Sequence, residues 1–525
     1  MTSDLSIVPV HPQGEPVLAV NGASVPAVII AEQKMAVDTL GGRVHVEWDP
    51  QSPVTPMGQL VFFTQFLKAA HLFDPWVEEC PLTYTSPNAP AVGDVLGTSL
   101  LSILSGHKRY THVTALRNDT VNPPLLGMKK IVSEDSLRRA FGGQPAQPIE
   151  SWQRKHLLLS YEPLLQEPWI LDIDTTIKTV YGHQQGAQVG YNPHKKGRPS
   201  LVYHTFFMGA ARLVLDVEVQ PGKQTAAHHS LPGLWQLVDE QPKGARPWLI
   251  RGDCAFGQDR LMCQAESRNQ DYLLKLRMTR KPKDLIKQME KEGGWVDAGK
   301  GWQGREGSLS LQGWDRCRRV IILRRKIEKA KDVGTPPTGF QLLLNWGEMF
   351  SLQGQQYEYA VLVTSLTLEV LAVAQLYRDR GDMENNFDEL KNQWGWGGFM
   401  TEDILRCQIA ARTVALIYNW WSLFVRLADP SKRREAITSR PMLLGGVARQ
   451  RTHSGQVSIL ITPMHGQAAK IQEMLNGVTA FLRGLMEDAE QLPSVQRWRR
   501  ILSKVFEKQL GCRPLKEPGL ALEAG

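Results

Sequence analysis

Cysteine is scarce in this 525-residue chain: six thiols, Cys80, Cys254, Cys263, Cys317, Cys407 and Cys512, scattered and without a CxxC pair. That spacing argues against a disulfide framework or a zinc site and fits a reducing compartment. No run of about 18 uncharged apolar residues exists, so no membrane span is expected. The longest apolar stretch, "TVALIYNWWSLFV", lies between Arg412 and Arg426 and reads as a buried helix. The opening "MTSDLSIVPVHPQGEP" lacks the basic start and continuous apolar core of a signal peptide. Internal repeats and low-complexity tracts are absent too. What is there is 42% hydrophobic, enough for sizeable cores, with a net charge of +8 that suggests a polyanionic partner.

The pattern changes several times along the chain. Residues 1–55 read as an arm with short strands. Residues 56–150 read as a helical domain, with Ser133 as N-cap of a short basic helix, and a helix-turn-helix-like role in DNA binding is one expectation for it. From 165 to 275 the order is β-β-β-α-β-α-β, which implies a mixed sheet with helices on its faces. Residues 276–355 hold Trp295, Trp302, Trp314 and Trp346 and a basic run, Asp315–Lys331, with eight Lys/Arg against two acids. They read as a β-rich insertion. Residues 356–428 resume with a strand and helices, and 429–525 form a basic, helical C-terminal region for DNA contact or dimerisation. The expected class is α/β.

Acids cluster where strands are expected to end. "LDIDTT" carries Asp172 and Asp174, and "IRGDCAFG" carries Asp253. Alternation puts Asp172 and Asp174 on one face, so both are candidates, with Asp174 preferred. Carboxylates at a sheet edge suit hard cations such as Mg²⁺. The segment "YRDRGDMENNFDELK" holds five more acids among two arginines and a lysine. On a continuous helix, at about 100° per residue, Tyr377, Arg380, Glu384 and Lys391 share one stripe. Asp388 lies on that stripe as well and is the rival acid. Gly381 weakens the continuity, and a break there rotates Tyr377 away.

These residues resemble the bacterial insertion-sequence transposases of the DDE type. The Tyr377, Arg380, Glu384, Lys391 spacing matches their signature of Tyr, two residues, Arg, three residues, Glu, six residues, Lys. "LDIDTT" and "IRGDCAFG" resemble their first-Asp and second-Asp strands, and "LRNDTVNPPLLG" followed by "SEDSLRR" resembles the N-terminal region of one group among them. The resemblance spans roughly residues 50–480. One departure is Cys254-Ala255-Phe256 where small residues are common.

The resemblance implies a ribonuclease H-like core interrupted by the insertion, with Asp174, Asp253 and Glu384 binding two Mg²⁺ ions that Mn²⁺ replaces. It implies DNA strand cleavage and strand transfer, often through a hairpin intermediate. The implied partners are the element ends and target DNA, in a homodimer or larger synaptic complex within the bacterial cytoplasm, at the nucleoid. It assigns Tyr377, Arg380 and Lys391 to DNA. Lys195, Lys196 and Arg198, the run Arg318, Arg319, Arg324 and Arg325, and Lys432–Arg451 are the expected backbone contacts. Trp346 and Trp314 are candidates for stacking on a flipped base. Two other classes fit part of the pattern: a transposase-derived DNA-binding protein that does not cut, and a two-metal nuclease that does not join. The intact acids favour cutting.

Overall fold

The computed structural model describes residues 35–193, 195–327, 348–352, 355–487 and 492–516. The chain divides into two compact units, Met1–Ser52 and Pro53–Gly525. In the first, β1 (Met35–Thr39) and β2 (Gly42–Val46) form an antiparallel hairpin.

The second unit begins with the two-residue strand β3 (Val54–Thr55) and a set of helices: α1 (Leu60–Ala70), α2 (Phe73–Glu78), α3 (Val92–Leu104), α4 (Asn122–Leu125), α5 (Glu134–Arg139) and α6 (Ala146–Tyr161). Helix α1 buries Leu60, Phe63, Phe66, Leu67 and Ala70, an apolar face at three- and four-residue spacing. Ser133 caps α5, its hydroxyl oxygen accepting the Ser136 N–H at 3.2 Å. The helices of 56–150 do not stand apart as a separate domain. Their apolar faces need cover, and α12 (Ile404–Ala428), described below, supplies it: the Phe63 ring lies 5.3 Å from Trp421 and the Trp76 ring 5.6 Å from Trp420.

Among the described residues the main sheet has eleven strands. Its first part comprises β4 (Ile170–Thr179), β5 (Gln188–Val189), β6 (Pro199–Met208), β7 (Leu213–Pro221), then α7 (Leu231–Asp239), β8 (Leu249–Gly252), α8 (Asp259–Glu266) and β9 (Tyr272–Lys275). The spatial order is β7-β6-β4-β8-β9. The first three are antiparallel neighbours, and β4, β8 and β9 run parallel. This matches the expected β-β-β-α-β-α-β order, with the short β5 added on β6. It differs in one respect: β4 does not end at its acids. Antiparallel pairing with β6 carries it on to Thr179, whereas its parallel neighbour β8 stops pairing at Ile173.

The expected insertion, 276–355, holds α9 (Arg280–Glu292), β10 (Val296–Gly299), β11 (Trp302–Leu309), β12 (Arg318–Lys326) and β13 (Glu348–Leu352), and β14 (Gln355–Thr364), expected to resume the core, pairs with β12 and β13. The insertion extends the same sheet, because β14 pairs with β9 through Leu362 opposite Lys275. Helices α10 (Val370–Arg378), α11 (Gly381–Gln393) and the 25-residue α12 follow. Helix α12 is buried nearly all round, as its composition requires. Its polar side chains close the outer edge of β7. Asn419 bonds the N–H and C=O of Val214 at 2.9 and 2.8 Å, and Gln408 bonds the N–H of Val219 and the C=O of Val217, both at 2.6 Å. An open edge is thereby covered. The chain ends in α13 (Ala436–Leu443), the hairpin β15 (Val447–His453) and β16 (Gln456–Thr462), α14 (Ala468–Glu487) and α15 (Ser494–Val505). Among the described residues no helix is long and apolar enough to cross a membrane.

Candidate active site

Strand register brings the first two acids together. Asp172 lies opposite Arg251 and Ile173 opposite Gly252 in the parallel β4–β8 pair. One step further, Asp174 on β4 and Asp253 just past β8 line one cavity of about 1150 Å³. Asp172 itself is not available. It is buried and takes two hydrogen bonds from Arg251, Nε to Oδ1 at 2.8 Å and Nη2 to Oδ2 at 2.7 Å. Arg251 also donates to the carbonyl of Leu376 in α10.

Asp253 opens a tight turn, its Oδ1 accepting the Ala255 N–H at 2.9 Å and its carbonyl the Phe256 N–H at 3.1 Å. Phe256 fits beneath this turn because Gly252 has no side chain: a Cβ there would meet the Phe256 Cβ at 2.8 Å. The departure at Cys254-Ala255-Phe256 is thus accommodated by packing.

The third acid arrives on α11. A turn at Asp379–Arg380 separates α10 from α11, so the signature does not lie on one continuous helix. Arg380 is buried between two carboxylates, 3.9 Å from Asp174 Oδ2 and 3.4 Å from Glu384 Oε1. Its guanidinium, expected to contact DNA, lies against these two acids. Tyr377 is also buried, packed with Val373, Leu362 and Trp302, and so offers no ring to a nucleotide. Asp388 is exposed and accepts from Asn392 Nδ2 at 2.7 Å. Glu384 is the acid that shares Arg380 with Asp174.

Burial pushes Asp174 up to about 6, with Arg380 opposing and Asp253 adding to the rise. Burial raises Glu384 as well, against the pull of Arg380 and Lys275 and with a push from Asp253. Asp253 thus repels both Asp174 and Glu384, a state that bound divalent cations would relieve. Their oxygens suit hard ions. They are spread more widely than Asp259, Cys263 and Asp315, whose ligand atoms lie within 4.8 Å of one another. That tighter group already holds a guanidinium: Arg318 donates to Asp259 at 2.6 Å and to Asp315 at 2.7 Å.

Cations flank the acids on both sides. Lys275 and Arg277 line the large cavity, and Lys178 and Lys391 line an adjoining one of about 390 Å³ that shares Thr175, Ile177 and Tyr191 with it. Lys275, Arg277 and Lys178 are absent from the sequence expectations. The signal for Lys275 was there: "DYLLKLR" ends an apolar strand in charge, as "IRGD" does, and parallel strands end on one side.

The arginines of β12 are paired within the fold. Arg318 adds Glu266 to its acids, Arg319 bonds Glu306 and two carbonyls, Arg324 bonds Glu290 and Arg325 bonds Glu358. Trp314 lies under Arg318, its ring centroid 5.3 Å away. These arginines, expected to contact DNA, each have a carboxylate partner within the protein. Trp346 lies outside the described residues. Lys195, Lys196 and Arg198 are exposed, Lys195 and Arg198 standing over the Tyr181 ring at 5.0 and 5.9 Å.

A family model described as "Transposase DDE domain group 1" matches residues 89–444. The chain belongs to this transposase family. DDE transposases are in general nucleases and polynucleotidyl transferases that use divalent metals. The matched segment of this transposase contains Asp174, Asp253, Glu384 and Lys391. Among solved structures, the piggyBac transposase synaptic complex with hairpin DNA aligns over 90% of both chains, with TM-score 0.33 and 11% identity. No curated protein sequence matches the chain.

Proposed function

We propose that this transposase cuts DNA at the ends of its element and joins the freed 3′ ends to target DNA, using Asp174, Asp253 and Glu384 at the edge of a ribonuclease H-like core. The observation that carries this reading is the meeting of Asp174 and Asp253 on adjacent parallel strands, with Glu384 tied to Asp174 through Arg380. The order β7-β6-β4-β8-β9, three antiparallel strands then parallel ones, supports the core assignment.

Asp174, Asp253 and Glu384 would hold two Mg²⁺ or Mn²⁺ ions, which supply activation of the attacking oxygen and stabilisation of the leaving oxygen. Arg380 keeps the carboxylates of Asp174 and Glu384 at a fixed separation. Lys275 and Arg277 on one side, and Lys178 and Lys391 on the other, hold phosphates of the strand lying across the acids. Lys195, Lys196 and Arg198 extend that track. Two element ends processed together call for at least two copies of the chain.

The test is a linear duplex bearing an element end, incubated with a target plasmid and Mg²⁺. Wild type is expected to nick at the element boundary and yield joined product, and Glu384→Gln to bind without cutting. Cutting without joining would make the protein a nuclease. Binding without either, in wild type, would make it a DNA-binding protein only.

A further inference from the structure

The β15–β16 hairpin begins at Val447, just beyond the segment matched by the family. Ser454 and Gly455 make its turn, both with positive φ (49° and 76°), the tight two-residue geometry of a regular ribbon. Its base is anchored. Ala448 and Arg449 pair with Thr55 and Val54, and the Gln450 N–H donates to the Pro53 carbonyl at 3.0 Å. Past Gln450 no third strand joins it among the described residues, and from Arg451 to Ser458 every residue is exposed.

The register places Arg449, Arg451 and His453 opposite Leu460, Ser458 and Gln456, all on one exposed face. No acid occurs anywhere from 436 to 472. Among the described residues, the Arg449 and Arg451 side chains have no ion pair or hydrogen bond, in contrast to the arginines of β12, each closed on a carboxylate. Where β12 neutralises its arginines, the ribbon leaves its two open.

We propose that this ribbon enters the major groove of duplex DNA, with Arg449, Arg451 and His453 facing the groove. The proposal rests on the reading of the chain as a DNA-cutting transposase and adds a recognition element to it. Beyond the anchored base, the two-stranded part, Arg451–His453 with Gln456–Ser458, is about 10 Å long at about 3.4 Å per residue, its strands about 4.8 Å apart, and Arg449 stands at its foot. The major groove, about 12 Å wide, admits a two-stranded ribbon, and its guanine edges accept hydrogen bonds from arginine. The charge of the ribbon suits that polyanion and would oppose an identical basic face on a second copy.

The test uses the full chain and a labelled duplex of about two helical turns (~21 base pairs) carrying an element end. Affinity is read by fluorescence anisotropy, and access to guanine N7 by dimethyl sulfate. The double variant Arg449→Gln/Arg451→Gln alters only exposed side chains, and an unchanged circular dichroism melt verifies its fold. Expected are at least a tenfold loss of affinity and loss of N7 protection in the segment beneath the ribbon. Arg449→Lys/Arg451→Lys is expected to restore part of the affinity without the protection. Wild-type binding and cutting with equal affinity and equal protection in the Gln variant would overturn the ribbon's role and leave the active-site reading standing. Loss of self-association in sedimentation, with DNA binding unchanged, would overturn it in favour of a second copy as occupant. A wild type that binds no duplex at all would overturn both readings.

Discussion

Arg251 and Asp172 face each other across parallel strands and close with two hydrogen bonds of 2.8 and 2.7 Å, both side chains buried. Their pairing sets the register that leaves Asp174 and Asp253 adjacent two residues further along each strand. The third contact of Arg251, to the Leu376 carbonyl, ties the same pair to the helix before Arg380 and Glu384.

Asp172→Leu leaves a buried, uncompensated guanidinium and is expected to lower the unfolding free energy by ~3–5 kcal/mol. The double variant Asp172→Leu/Arg251→Met is expected to recover part of that loss. Gly209→Ala is expected to act on the same pair, since its Cβ would sit 2.1 Å from Asp172 Oδ2. Urea midpoints measure all three. A single Asp172 variant as stable as wild type would remove the pair from this role.

Removing one charge from the site behaves differently. Glu384 is raised by burial and by Asp253, so Glu384→Gln is expected to leave the metal-free melting temperature unchanged or higher. Millimolar Mg²⁺ or Mn²⁺ is expected to raise the wild-type midpoint, by linkage to the folded state. That increment is expected to shrink in Glu384→Gln and Asp253→Asn and to persist in Asp388→Asn. Thermal shift with and without EDTA measures it.

Burial holds His204 down at about 4, against an ordinary value of 6.5. Its ring is neutral, Nε2–H donating to the Gln224 carbonyl at 2.9 Å and Nδ1 accepting from the Ser230 hydroxyl. Between pH 6.5 and 4 the unfolded chain binds a proton that the folded chain does not. Stability is therefore full above about 6.5 and is lost as pH falls towards 4, by about 3 kcal/mol for this one residue. His204→Gln is expected to flatten the urea-unfolding profile over that window, at the cost of lower stability at neutral pH.

Arg318 is held by Asp259, Glu266 and Asp315. Arg318→Met is expected to destabilise the protein by several kcal/mol, because it strands three carboxylates around a buried position. The salt dependence of DNA binding is expected to stay as in wild type. A shallower slope of log affinity against log salt would return this arginine to the DNA contacts.

The order of strands and helices across 165–275 was legible because alternation and helical spacing are local. The preference for Asp174 over Asp172 had no such local ground. Both share a face, and what separates them is Arg251, 79 residues away. The basic run of β12 misled for the same reason. Glu266 and Glu290 precede it and Glu358 follows it, so its neutrality exists only in the folded sheet. Tyr377 is fixed in the signature by spacing, yet its burial depends on how α10 packs on β10 and β11, which no local pattern encodes.

The pairing of β14 with β9, Leu362 opposite Lys275, makes the whole insertion a long excursion whose exit returns beside its entrance. The chain re-enters the sheet at one place and turns into α10, and α10 in turn rests on β10 and β11. The excursion is therefore a buttress under the helix that leads to Glu384, and its content bears on where that acid stands.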